Sequence, residues 1–132
     1  MKISSTWLGG CKSELSDAQG HKVVIDLPEE KGGANSGATA LDLCLMSLAG
    51  CINTIFVMMA GKMHLTFDKL QAELDITRDG NAITGVLCTL NIHTDDDHGK
   101  IAKCAEKVIE TCPVGGIFRN AGIALKHEIK YL

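Results

Sequence analysis

Gly37-Ala38-Thr39-Ala40-Leu41-Asp42-Leu43-Cys44-Leu45-Met46-Ser47-Leu48-Ala49-Gly50-Cys51 opens an apolar stretch that runs on to Gly61-Lys62. Its first four helical positions form a capping box. The Thr39 hydroxyl takes a free backbone N–H, and Asp42 reaches back and favours the positive helix end. At the far end Gly61 permits a left-handed cap and Lys62 suits the negative end. The spacing therefore predicts one long helix from Thr39 to about Lys62, roughly 35 Å at 1.5 Å per residue. From Leu43 to Ala60 its only polar side chains are Ser47, Asn53 and Thr54. Such a helix is long enough to cross a bilayer, but it is followed by a clean strand alternation, and an all-apolar helix equally suits the buried centre of a globular fold. The expectation is a protein that is not in the membrane.

Downstream, Leu70, Ala72, Leu74 and Ile76 alternate with Gln71, Glu73, Asp75 and Thr77, a strand with one wet face. Asp79-Gly80 turns it back. The returning strand alternates Val86, Cys88, Leu90 and Ile92 against Leu87, Thr89, Asn91 and His93. A second helix follows Asp95-Asp96-Asp97, with Ile101, Ala105, Val108 and Cys112 as its buried stripe, and Pro113 stops it. A last strand covers Ile123 to Tyr131.

Upstream of the long helix, Ile3–Leu8 and His21–Leu27 read as strands around a turn-rich Ser13–Gly20. Glu29–Gly37 reads as an exposed, mobile loop. With no repeat and no linker, residues 1–132 form a single α+β domain.

The bulk numbers narrow the function. A net charge of −3 with few aromatics argues against nucleic acid. The start Met1-Lys2-Ile3-Ser4-Ser5-Thr6-Trp7 lacks the apolar core of an export signal, so the six cysteines are expected as reduced thiols in a cytoplasmic setting. No pair is spaced Cys-x-x-Cys, and His21, His64, His93 and His98 have no ligand spacing, so neither metal nor cofactor is expected.

Cys88 and Cys104 fit core filler, and nothing activates Cys11. Cys44, Cys51 and Met58 are seven apart and share one helical stripe, which by spacing alone is core. Cys51 differs by context, because Ala49 and Gly50 let another group approach the backbone. Cys112 differs because Pro113 follows it and Val114-Gly115-Gly116 begins a new turn with free N–H groups. His127 shares the inner row of the last strand and fits a hydrogen-bonded core histidine better than a proton shuttle.

The segment from Gly37 to Cys51 resembles the signature of the OsmC/Ohr family, and Glu110-Thr111-Cys112-Pro113-Val114 resembles the family's second cysteine motif. Gly20-His21-Lys22-Val23-Val24-Ile25-Asp26 is similar to a strand common in its OsmC-like branch, and the order of elements agrees over nearly the whole chain. The resemblance implies an OsmC-like fold, an intertwined homodimer, and a peroxidase of organic hydroperoxides. In it Cys51 attacks, Cys112 resolves, and an external dithiol reduces the disulfide. It also implies an apolar pocket beside Cys51, from residues such as Leu45, Met46, Ile55 and Met58.

The resemblance further implies an arginine from the N-terminal strands, held by an acid near the helix start, for which Asp42 stands one residue out of register. The two arginines, Arg78 and Arg119, lie elsewhere; Lys12, Lys22 and His21 are the substitutes on offer. A thiolate on an apolar helix needs such a cation. The competing reading is therefore a non-catalytic redox-sensing or small-ligand-binding dimer.

Overall fold

The computed structural model describes residues 1–132 and divides into two compact units, 1–46 and 47–132. The first unit is a three-stranded antiparallel sheet of β1 (Ser4–Gly9), β2 (Lys12–Ser16) and β3 (Lys22–Ile25), in that order. Lys12–Ser16, read from sequence as the edge of a turn, is the central strand. Lys-Ser-Glu-Leu-Ser has no β-branched residue to announce it, and its extension comes from pairing on both sides with Ser4–Gly9 and Lys22–Ile25.

The segment after β3 is more ordered than its polar, glycine-rich sequence suggests. Asp26 is buried, and its carboxylate accepts the N–H groups of Leu27 (2.8 Å), Ala34 (3.1 Å) and Ser36 (3.1 Å). Those bonds, led by Ser36 and then Leu27, hold its carboxyl below the usual carboxylate range. A single 3-10 turn, Glu29–Lys31, sits inside the loop they close. Any side chain at Gly33 would strike the Leu27 carbonyl, and any at Gly37 the Val24 carbonyl. The glycines are there for close backbone approach, not for mobility.

Helix α1 (Ala40–Lys62) begins where its cap predicts. Thr39 Oγ1 donates to the Asp42 carboxylate at 2.7 Å, and the Asp42 N–H donates to Thr39 Oγ1 at 3.1 Å. Leu48, Ile52, Phe56 and Ala60, four apart, are its buried residues, and the Phe56 ring meets Phe67 edge-on at 5.6 Å. By length and mean hydropathy of 2.0 the helix passes for a membrane span. Its buried stripe covers one side only, 22% of that apolar window being buried within the chain, and one such helix is by itself weak evidence for a membrane span.

The second unit continues with β4 (Lys69–Asp79), β5 (Ala82–His93), α2 (His98–Thr111), α3 (Pro113–Asn120) and β6 (Ala124–Tyr131). β4 and β5 form the expected hairpin, and β6 pairs parallel to β5, so β5 is central. A parallel pair needs a crossover, and α2 with α3 supplies it. Val86, Cys88, Leu90 and Ile92 of β5 are buried, as are Ile101, Cys104, Ala105, Val108 and Cys112. Pro113 stops α2, as expected, and does more. It occupies the first position of α3, where its missing N–H costs nothing.

Candidate functional site

Two elements set the site. α1 carries Cys51 one residue before the buried Ile52, and so at the flank of its core stripe. The 44–51–58 row is not core: Cys44 and Met58 are exposed, and Cys51 is half-buried. A helix apolar on every side offers several equivalent stripes, and packing chose 48–52–56–60. Thr54 Oγ1 donates to the Gly50 carbonyl at 3.0 Å, while the Gly50 Cα faces open space.

Cys112 comes from the α2–α3 junction. It closes α2, its N–H bonding to the Val108 carbonyl, and caps α3, its sulfur accepting the Gly115 N–H at 3.3 Å. These two roles pin the residue, which is 1% exposed. Its Sγ lies 3.1 Å from Cys51 Sγ and donates to it. The two cysteines singled out from six are thus brought together, 61 residues apart in sequence, and no disulfide joins them.

Burial pushes the Cys112 thiol up. The Cys51 sulfur beside it adds to the rise, while the N–H groups of Gly115 and Val114 pull the other way. Burial thus favours the protonated form of Cys112. Behind the pair, burial raises the Cys88 thiol to about 11, with the Cys112 sulfur adding to it. Cys88 and Cys104 are fully buried, as core filler should be. Cys11 is exposed and donates to the Gly32 carbonyl at 3.6 Å.

Other sequence candidates fall differently. Asp42 is engaged in the α1 cap. Lys22 pairs with Glu14 at 2.7 Å and His21 with Asp17 at 2.6 Å. His127 lies on the half-buried row of β6, in register with Cys88. Met46 and Met58, expected around an apolar pocket, are exposed.

Arg119, which the sequence sets aside because it lies outside the N-terminal strands, stands beside Cys112. Its guanidinium bonds the carbonyls of Ile109 and, at 2.9 Å, Glu110, across Gly115 and Gly116. The available signal was Pro113 as a helix start, which puts Arg119 in the last turn of a helix opened by Cys112.

An α+β chain with two three-stranded sheets, a long central helix and a thiol pair spanning helix and helix junction defines a class of paired-cysteine proteins. The chain belongs to the OsmC-like protein family, whose sequence profile matches residues 33–128. No curated protein is a detectable sequence relative. Among solved structures it is similar to an OsmC-like protein from Mycoplasma pneumoniae (TM-score 0.86, 16% identity, covering 99% of this chain and 96% of that one). It is also similar to the organic hydroperoxide resistance protein OhrB of Bacillus subtilis (0.68, 20%, 98% and 96%). A third likeness is to an organic hydroperoxide resistance protein OsmC from Legionella pneumophila (0.69, 15%, 98% and 95%). At these identities the likeness is one of fold.

Proposed function

We propose that this chain is a thiol-dependent peroxidase of organic hydroperoxides, working through a Cys51 sulfenic acid that Cys112 resolves. The observation that carries the reading is the 3.1 Å approach of a half-exposed sulfur to a buried one. The Cys51 sulfur attacks the terminal peroxide oxygen and the O–O bond breaks. An alcohol leaves with a proton, and Cys51 becomes a sulfenic acid. The Cys112 sulfur then attacks the Cys51 sulfur, the S–O bond breaks, and water departs as the disulfide forms. An external dithiol restores both thiols by exchange.

The reading includes a homodimer in a cytoplasmic setting, with residues 1–132 as one OsmC-like domain and no cofactor or metal. Met46, Val57 and Met58 stand 59%, 53% and 55% exposed on an apolar helix, and a second copy is the cover this reading assigns them. Asp42 contributes by fixing the start of the helix that carries Cys51.

Consumption of cumene hydroperoxide in the presence of a dithiol tests the proposal. Cys51→Ser is expected to abolish it, and Cys112→Ser to leave a sulfenic acid that dimedone traps. Unchanged consumption by Cys51→Ser would sink the reading.

A second reading, a redox-sensing or small-ligand-binding protein without turnover, is favoured by one observation. Of the basic groups offered by the N-terminal strands, Lys22 and His21 are engaged by Glu14 and Asp17. Stoichiometric Cys51–Cys112 disulfide formation without repeated peroxide consumption is its signature.

A further inference from the structure

We infer that Arg119 is a positioning residue for the thiol pair, a clamp on the α2–α3 junction that holds the Cys112 sulfur against Cys51. The inference rests on the reading of these cysteines as a redox couple.

Arg119 lies in the last turn of α3, yet both its terminal nitrogens reach back to α2. One donates to the Ile109 carbonyl and the other to the Glu110 carbonyl, at 2.9 Å. These are among the last carbonyls of α2, which lack helical partners and carry the negative end of the helix dipole. A planar guanidinium satisfies two at once, which a lysine ammonium does less well. None of the ion pairs in the structure involves Arg119. Its charge is spent on backbone.

The way it gets there is built into the motif. A Cβ at Gly115 would lie 3.1 Å from Arg119 Nη1, 3.2 Å from Leu125 Cδ2 and 3.3 Å from Cys112 Cβ. One at Gly116 would lie 3.7 Å from Nη2. The guanidinium thus lies across two residues without side chains, in the corner between the end of α2 and the start of α3. The Gly115 N–H is also the donor to Cys112 Sγ. One glycine therefore touches the clamp and the sulfur together. Without Arg119 the carbonyls of Ile109 and Glu110 lose their partner, the corner empties, and α3 is free to pivot about Cys112.

The step this affects is closure, in which the S–O bond of the Cys51 sulfenic acid breaks and the S–S bond forms. Water leaves, carrying the Cys112 proton. Formation of the sulfenic acid uses Cys51 alone and is left untouched. Loss of alignment by about 1 Å slows such a step by about tenfold to a hundredfold.

The test separates the two steps in Arg119→Met, Arg119→Lys and Gly115→Ala. Single-turnover oxidation by cumene hydroperoxide is followed by quenching into dimedone for the sulfenic acid, and into iodoacetamide for thiols left unclosed. Diamide, which takes two hydrogens from a dithiol, drives closure independently of peroxide. In Arg119→Met the expected result is unchanged sulfenic acid formation, slower closure by the factor above with either oxidant, and accumulation of the dimedone adduct. Arg119→Lys is expected to recover part of the closure rate. Gly115→Ala, which displaces the guanidinium without removing it, is expected to slow closure as well, and it carries the test with Arg119→Lys if Arg119→Met does not fold.

Closure at the wild-type rate in the folded variants overturns the clamp and leaves the peroxidase reading standing. So does equal slowing of both steps, which marks a general loss of structure. Failure of the wild type to form the disulfide with diamide overturns the clamp together with the reading beneath it.

Discussion

Oxidation of the thiol pair should stabilise the protein by an amount set by the chain between the two sulfurs. Cys51 and Cys112 are 61 residues apart. Cross-linking a loop of that length removes about 4 kcal/mol of conformational entropy from the unfolded chain at 25 °C. The folded chain holds the sulfurs 3.1 Å apart, so reaching a bond of about 2.05 Å needs a shift of only about 1 Å. With 132 residues and about 2.1 cal/mol/K of unfolding entropy per residue, 4 kcal/mol corresponds to about 14 °C in Tm. The assay is thermal unfolding followed by circular dichroism, on wild type treated with dithiothreitol or with diamide, and on Cys51→Ser and Cys112→Ser treated alike. The wild type is expected to gain most of that rise and both variants none. An equal rise in either variant, or no rise in a wild type shown by mass to have lost two hydrogens between Cys51 and Cys112, refutes the geometry.

Three further outcomes follow from named groups. The Cys88 thiol is raised from 9.0 to about 11, first by burial. The folded state therefore holds a proton that the unfolded state has lost between those values. Stability is full below about pH 9 and falls as pH rises towards about 11, by about 3 kcal/mol in all. Cys88→Ala is expected to flatten this alkaline loss in urea titrations, and an unchanged slope would assign it elsewhere. Asp26, held low by the Ser36, Leu27 and Ala34 amides, keeps the 27–37 loop closed above the ordinary carboxylate range. The loop should open as pH falls through the lowered value, and Asp26→Asn should speed hydrogen exchange at Ala34 and Ser36 at neutral pH. Thr39→Ala and Asp42→Ala each break the cap of α1 and are expected to lower stability by about 1 kcal/mol. Peroxide consumption that falls with Asp42→Ala but not with Thr39→Ala would give Asp42 a role beyond the cap.

The parts of the fold legible in sequence are those where local and tertiary preferences agree. Thr39 and Asp42 cap α1 as their spacing demands, and the alternation of Leu70 to Ile76 against Val86 to Ile92 gives the β4–β5 hairpin. Elsewhere tertiary context overrides local signal. Lys12–Ser16 becomes a central strand because its neighbours pair with it. The loop after β3 is fixed by one buried carboxylate. Pro113 stops α2, as its sequence position says, and also starts α3, because a proline that forbids continuing one helix is well suited to opening the next. The contacts of Arg119 are not legible in the sequence for a related reason. Its partners are backbone carbonyls nine and ten residues earlier, and carbonyls leave no mark in a side-chain pattern.

For the thiols themselves, position and motif single out two residues, and the division of labour proposed for them rests on asymmetry in the packing. The sulfur–sulfur distance is the same seen from either side. The surroundings differ. Cys112 is enclosed, caps α3 through the Gly115 N–H, and is favoured in its protonated form by burial, with that proton directed at its neighbour. Cys51 sits on the flank of a helix whose next residue, Ile52, is wholly buried, and it retains exposure of its own. In the proposed reaction a peroxide arriving from solvent would meet Cys51 first, while a group fixed at a helix junction is suited to meeting an oxidised sulfur already in place. Exchanging the roles would require the enclosed sulfur to meet the substrate and the exposed one to wait behind it, an order the burial of Cys112 opposes.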